Sequence, residues 1–319
     1  MADGMPELGR AWRIGVVGPG ALGCLFAGLL ALAGHDVRLL GRRREQADAI
    51  DRDGVLVERD GEARRAAVRA GTDPAALGPV DLAIVLVKAT DTTAAAPSLP
   101  ALLGPDAPAV SLQNGLGNLD ALTAVLGPAR VLGGVSSQGA TMLGVGHVRH
   151  AGFGPTSLAE AVGGPSERAE RIAAMLNAAG LNARAHPDPA PLIWGKLIAN
   201  AAINPLGALL NCQNGQTVER PSAHRLFNEL ASEAGAVAAA LRIELPFKDP
   251  VAHAESVAKV THGNRNSMLQ DVENRRRTEI DAINGAVARL GGEHGVPTPV
   301  NQTVTTLIRA LEDGYLLRT

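Results

Sequence analysis

Short aliphatic runs alternate with polar, helix-forming stretches through the first half of the chain. This is the pattern of a largely parallel sheet covered on both faces by helices. Strands are predicted at residues 12–17, 36–40, 82–87, 109–112 and 131–136, with helices at 21–33 and 43–51. The run LAIVLV at 82–87 is uninterrupted, which suits a strand buried on both faces. Residues 55–58 and 66–69 flank a polar stretch around Gly61 and are expected to form a hairpin. From about residue 139 glycine-punctuated β character appears, followed by a helix at 166–179 and a strand at 183–186. The Pro-dense stretch HPDPAP at 186–191 marks a domain boundary. Helical periodicity dominates beyond it, at 192–202, 223–241, 251–260, 275–290 and 299–311. Pro205 is expected to break or kink the first of these after Asn204, leaving Asn211 and Asn214 in a loop.

The first strand runs directly into GPGALG, so Gly18, Gly20 and Gly23 satisfy G-x-G-x-x-G between a strand and a helix. Gly18 permits the tight turn, Gly20 removes a side chain that would block a pyrophosphate, and Gly23 lets helix and strand pack closely. Gly18, Pro19, Gly20, Ala21, Leu22 and Gly23 are the expected phosphate-cradling segment, with the helix dipole favouring the anion. The second strand ends in Gly41-Arg42-Arg43-Arg44 rather than in an acid. A guanidinium can hold a ribose 2′-phosphate that an acid would repel, so the expected cofactor is NADP(H), with Arg42 the leading contact and Arg43 or Arg44 the alternatives. Lys88, past the LAIVLV strand, stands at the edge where open α/β sheets keep ligands, as do Gln113, Asn114 and Asn118 of QNGLGN. The expected fold is α/β, a Rossmann-type doubly wound domain over 1–187, with 1–11 a loose tail, then an all-helical domain over 188–319 that carries substrate and chemistry.

In that second half Lys196, Asn200 and Asn204 recur at i, i+4 and i+8 on an otherwise apolar helix. A polar stripe of this kind meets either solvent or a substrate, because a buried neutral polar group without a partner costs roughly 2 to 7 kcal/mol. A second polar segment, NRNSMLQDVENRRRTEIDAING, places Ser267 before MLQD. It also puts Glu279 and Asp281 in the first turns of the helix expected at 275–290, whose inward face is Ile280, Ile283 and Val287.

Composition narrows the functional classes. Lys and Arg number 30 against 32 Asp and Glu, so no strong field favours nucleic acid or an anionic membrane. Aromatics are only 2% of residues, too few for a base-stacking platform. Cys24 and Cys212 are far apart in sequence, which suggests neither a disulfide framework nor a cysteine zinc site and fits a reducing cytoplasm. The opening MADGMPELGR has no apolar core of a secretory signal, and the apolar run at 19–34 is short for a membrane span. The eight histidines, including His147 and His150, form no convincing metal-ligand set.

Taken in order, GPGALG, QNGLGN, KLIANAAINPL, SMLQD and RTEIDAING make the chain similar to the ketopantoate reductase (2-dehydropantoate 2-reductase) family over nearly its whole length. The resemblance implies NADPH-dependent reduction of 2-dehydropantoate to pantoate, a step toward pantothenate and coenzyme A. By residue, it implies Lys196 as general acid and Glu279 as its partnering carboxylate. Asn114, Asn200, Asn204, Asn214 and Ser267 match substrate-binding positions, with Asn114 and Glu279 also near the cofactor. Gly18, Gly20, Gly23, Arg42 and Lys88 match cofactor positions. The expected partner is a small 2-keto acid, with no nucleic acid, membrane or metal, and a homodimer is compatible with the sequence. The rival readings are a related dehydrogenase of another 2-keto or 3-hydroxy acid, and a non-catalytic NADP(H) sensor.

Overall fold

The computed structural model describes Pro6 and residues 9–317; the rest of the tail expected at 1–11 lies outside the described residues. The backbone forms two compact units. One comprises residues up to Gln113 together with Gly117–Pro189, and the other Asn114–Leu116 together with the chain from Ala190 onward. The division therefore falls two residues beyond 187, and three residues of the QNGLGN loop pack with the second unit.

The first unit is Rossmann-like. Its elements run β1 (Arg13–Val17), α1 (Ala21–Leu32), β2 (Asp36–Leu40), α2 (Arg44–Asp53), β3 (Val55–Arg59), β4 (Glu62–Ala66), β5 (Arg69–Gly71), β6 (Leu82–Val85) and β7 (Ala109–Ser111). They continue with α3 (Asn118–Leu126), β8 (Val131–Gly144), β9 (His147–Glu160), α4 (Glu167–Ala178) and β10 (Ala183–Ala185). All ten strands join one sheet in the order β4-β3-β9-β8-β7-β6-β1-β2-β5, with β10 beside β9. The run from β8 to β5 is parallel throughout. Strand β6 is buried along its whole length, as its unbroken aliphatic sequence requires. Helix α1 buries Leu25, Phe26, Leu29 and Leu30 in the larger core of this unit.

The structure shifts the expected hairpin. Residues 55–59 pair with 62–66, and 69–71 pair instead with β2. Asp60 and Gly61 both have positive φ, 53° and 84°, so this Asp-Gly pair makes a two-residue turn and the return strand must begin at Glu62. The strand expected at 131–136 continues to Gly144 and folds back as β9, antiparallel to β8 with three register irregularities.

The second unit is helical: α5 (Pro189–Leu210), α6 (Pro221–Ala240), α7 (Pro250–Val260), α8 (Ser267–Glu273), α9 (Asn284–Glu293) and α10 (Pro299–Leu316). Trp194, Leu197, Ile198, Ile203, Phe227, Leu230, Ile280, Ile283 and Val287 share its core. Helix α5 is long and apolar enough to cross a membrane, but 72% of its apolar window is buried inside the protein.

One expectation about this unit is overturned, and another is met only in part, because α5 is not broken at Pro205. Helix α5 runs on through Pro205 to Leu210, with Asn211 and Asn214 beyond its end. Pro205 has no N–H for the carbonyl of Ala201 four residues back, but the Asn284 side-chain amide donates to that carbonyl at 2.9 Å. The helix expected at 275–290 is absent as such. Helix α8 ends at Glu273, α9 starts at Asn284, and the Glu279 segment between them is a series of turns. Other partners replace helical bonds here: two are tertiary, Thr278 N donating to Glu312 Oε1 at 2.7 Å and Ala282 O accepting from Leu116 N at 2.9 Å, and one is a local side chain, Ile280 N donating to Thr278 Oγ1 at 3.2 Å. Ile280, Ile283 and Val287 nevertheless all point into the core.

Candidate active site

The glycine loop of the first unit connects β1 to α1. Gly18 has φ +111°, and a Cβ there would lie 2.7 Å from the Val87 amide nitrogen. A Cβ on Gly23 would lie 1.9 Å from the Gly18 carbonyl oxygen, so this glycine is required by the close packing of helix on loop. Gly20 differs: its backbone is ordinary (φ −78°), and a Cβ would meet no protein atom within 4 Å. Nothing in the protein's own packing demands a glycine at that exposed position, which is what a cradle for an approaching ligand requires. Gly20 caps α1 without a side-chain hydrogen bond, and no acid occupies the first turn. The leading amides of the helix, around Ala21 and Leu22, have no intrahelical acceptors, so an anion is favoured there. Pro19 O is held by the Gln46 side-chain amide at 2.8 Å, fixing the loop to α2.

Arg42 follows β2 with its side chain 79% exposed, pairing with Asp91 at 3.0 Å. Such a solvated pair is worth at most about 1 kcal/mol and yields to a stronger anion. Arg43 donates to Gln46 Oε1 at 2.8 Å, and Arg44 is exposed at the start of α2. Lys88 is half-buried just past β6, where a short helical turn begins. The QNGLGN residues separate. Gln113 and Asn118 are buried in a network internal to the first unit, in which Gln113 Nε2 donates to Val87 O at 2.8 Å and to Thr92 Oγ1 at 2.6 Å, and Thr92 Oγ1 donates to Asn118 Oδ1 at 2.7 Å. Asn114 belongs to the second unit, where its amide donates to Glu279 Oε2 at 3.1 Å.

That bond joins two residues 165 positions apart and defines the polar centre of the second unit. The Glu279 carboxylate also acts electrostatically on Lys196. Burial pushes the Lys196 ammonium down to about 8, with the negative charge of Glu279 opposing the shift. One and two turns along α5 come Asn200, half-buried, and Asn204, only 4% exposed. Among the described residues, neither side chain is one of the buried polar groups that lack a hydrogen-bond partner. Polar groups along an apolar helix take solvent or a polar ligand as partner, and the stripe offers such a ligand two amides one turn apart. On the other side of the lysine, His253 contacts the Gly195 carbonyl through Nε2 at 3.1 Å and stacks on Phe247 with ring centroids 3.8 Å apart.

The remaining candidates have other surroundings. Asn214 is buried, with its amide on Thr261 Oγ1 at 2.9 Å and its oxygen accepting from Asn266 at 3.3 Å. Asn266 caps α8 by accepting from Leu269 N at 2.9 Å, and Ser267 is exposed at the first helical position. Asp281 points outward to Arg309. His147 pairs with Glu58, and His150 lies buried against Gln138. Sequence reasoning missed Asn266 and Asn284. The first carried a recoverable helix-cap signal, whereas the partner of Asn284 is set only by the tertiary fold.

Residues 14–163 match the family model of ketopantoate reductase PanE/ApbA, and residues 190–312 that of the ketopantoate reductase PanE/ApbA C terminal. The chain is 37% identical to a 2-dehydropantoate 2-reductase of Archaeoglobus fulgidus, across 96% of this chain and 99% of that one. Among solved structures, a PanE/ApbA family ketopantoate reductase of Ralstonia eutropha JMP134 superposes with a TM-score of 0.87 at 33% identity, covering 95% and 99% of the two chains. D-mandelate dehydrogenase in ternary complex with NADH and anilino(oxo)acetate superposes with a TM-score of 0.89 at 29% identity, over the same shares. The match covers both units in sequence and in fold, and the chain belongs to the ketopantoate reductase family.

Proposed function

We propose that the protein is an oxidoreductase that reduces 2-dehydropantoate to pantoate with NADPH, in the cytoplasmic route to pantothenate and coenzyme A. The observation that carries the reading is the Asn114–Glu279–Lys196 constellation: a desolvated ammonium beside a carboxylate that is itself held at 3.1 Å by an amide. A sensor has no use for a proton donor tuned in this way, and the Archaeoglobus fulgidus and Ralstonia eutropha relatives are named for reducing this substrate.

A bound nicotinamide supplies the hydride to the substrate's C2 carbonyl. The protein's part is to stabilise the charge that grows on the carbonyl oxygen, and protonated Lys196 Nζ does this and then delivers its proton. Glu279 keeps that ammonium charged at neutral pH against the cost of burial. Asn200 and Asn204 offer neutral hydrogen bonds to the substrate's carboxylate and hydroxyl, orienting it without adding charge. The family resemblance adds Asn214 and Ser267 as further substrate contacts and Lys88 as a cofactor contact. The segment from Gly18 to Gly23 and the Arg42 guanidinium hold the cofactor's phosphates, and the lack of an acid after β2 favours NADPH over NADH.

The D-mandelate dehydrogenase superposition favours one second reading, reduction of another 2-keto acid with NADH. Steady-state oxidation of NADPH and NADH against a panel of 2-keto acids separates the two. The expected result is highest kcat/KM for 2-dehydropantoate with NADPH; a preference for an aryl 2-keto acid with NADH would replace the first reading by the second.

A further inference from the structure

We propose that Asn284 is a positioning residue that fixes the Glu279 turn against the helix bearing Lys196, using a backbone carbonyl that Pro205 leaves without its helical donor. Within α5 the Ala201 carbonyl would accept from the N–H of residue 205, and proline has none. Asn284 Nδ2 takes that place at 2.9 Å and donates its other hydrogen to Asn301 Oδ1, also at 2.9 Å. Asn284 and Asn301 are both fully buried. Asn301 in turn donates to Glu233 Oε2 at 2.7 Å, and the Glu233 carboxylate accepts from the Val300 and Asn301 amides at 2.9 Å each. One chain of hydrogen bonds therefore links α5, α9, α10 and α6.

Both ends of this clamp lie next to the proposed chemistry. Ala201 follows Asn200 directly, and Lys196 and Asn204 lie within about a turn and a half of it on α5. Asn284 opens α9, and the Glu279 turn is bonded onto that helix start, with Ile283 N donating to Glu279 O at 3.1 Å and Gly285 N to Ile280 O at 2.9 Å. An ordinary helical residue at 205 would bring its own N–H to the Ala201 carbonyl, and Asn284 would have to share that oxygen with it. Pro205 thus makes the middle of α5 a socket for Asn284, and the socket sets where the carboxylate stands relative to the ammonium.

The inference rests on the proposed roles of Lys196 and Glu279, and its test has a readout independent of turnover. The charged group acting on Lys196 is Glu279; the neighbouring His253, on α7, contacts Gly195 O, and burial lowers its pKa. Asn284→Ala, Pro205→Ala and the double variant are compared by thermal unfolding, NMR titration of Lys196, NADPH binding, and kcat and KM for 2-dehydropantoate across pH. Asn284→Ala is expected to lower kcat by about 10- to 100-fold and to move the Lys196 titration to lower pH, because the carboxylate that supports the charge is no longer held. NADPH affinity should stay unchanged. In the double variant the new N–H of residue 205 serves the Ala201 carbonyl while Asn301 Oδ1 still lacks its donor, so the melting temperature should recover in part while kcat and the Lys196 titration do not. Recovery of all three would reduce Asn284 to a repair of the proline and overturn the inference, as would a single variant with wild-type rate and titration. If Asn284→Ala does not fold, the double variant carries the decision. If the wild-type protein reduces no 2-keto acid, the functional reading fails, and the Lys196 titration still decides the clamp.

Discussion

In the first unit the groups proposed to meet a ligand are backbone amides of one contiguous segment, residues 18–23. In the second they are side chains from three segments far apart in sequence, at 114, 196–204 and 279. The glycine loop depends on the absence of side chains, because backbone approaches closely at both ends: Val87 beside Gly18, and Gly18 itself beside Gly23. The lysine centre depends on electrostatics, and its properties come from burial and from a carboxylate brought in by the fold. Anion recognition by a helix start needs only a short stretch of chain, whereas tuning a proton donor needs a low-dielectric environment that no single segment can make.

Substitutions at the two ends should consequently fail in different ways. The largest effect is expected from Lys196→Met, which should lower kcat for keto-acid reduction by about 10² to 10⁴ while leaving NADPH affinity near wild type. Unchanged turnover in stopped-flow or steady-state assays would remove the lysine from the mechanism. The same variant should unfold at a higher temperature near pH 7. A lysine whose folded pKa is depressed from 10.5 to about 8 binds fewer protons than the unfolded chain between those values. Its contribution therefore destabilises the fold below pH 8 and is relieved as pH rises to 10.5. Calorimetry across that window should show the stability of the wild type, but not of the variant, rising with pH.

Next in size is the pH dependence of turnover. The proton donor must be charged, so keto-acid reduction should fall about tenfold per unit once pH passes about 8, the value set by burial against the Glu279 charge. A rate that stays flat to pH 10 would place the proton elsewhere.

The glycine loop gives a sharper contrast within one segment. Gly23→Ala sets a Cβ 1.9 Å from a backbone oxygen and should cost about 1 to 3 kcal/mol of stability. Gly20→Ala meets no protein atom and should change stability by less than about 1 kcal/mol, yet weaken NADPH binding. Melting curves and cofactor titrations on the pair check this, and an unaffected cofactor affinity in Gly20→Ala would argue against a phosphate over that position. The smallest expected effect on the fold comes from Arg42→Asp, at an exposed residue. It should weaken NADPH by about 10-fold or more while sparing NADH, and equal losses for both would assign the 2′-phosphate to Arg43, Arg44 or Lys88.

Much of this was legible in the chain. The aliphatic run of β6, the spacing of GPGALG and the 3.6-residue periodicity of α6, α7 and α10 are local signals, and local signals decide local structure. The polar stripe on α5 was visible too, though not whether it met water or a ligand. Legibility failed where a tertiary partner replaced a local bond. The Glu279 segment reads as helix, yet its backbone hydrogen-bonds with Glu312 and Leu116. Pro205 reads as a break or a kink, yet the helix continues through it and Asn284 supplies the missing donor. Gln113, Asn114 and Asn118 read as one ligand edge, yet two of them are consumed in a buried network and one faces Glu279.

The sequence by itself determined the alternation of strands and helices, the glycine loop at the head of α1 and the polar positions along α5. Each of these follows from sterics and periodicity acting over a few residues. Only the tertiary structure decided that Asn114 meets Glu279, that the carboxylate acts on Lys196, and that the ammonium loses enough water to fall to about 8. Desolvation and through-space charge depend on which distant segments pack together, and that information resides in the folded chain rather than in any window of its sequence.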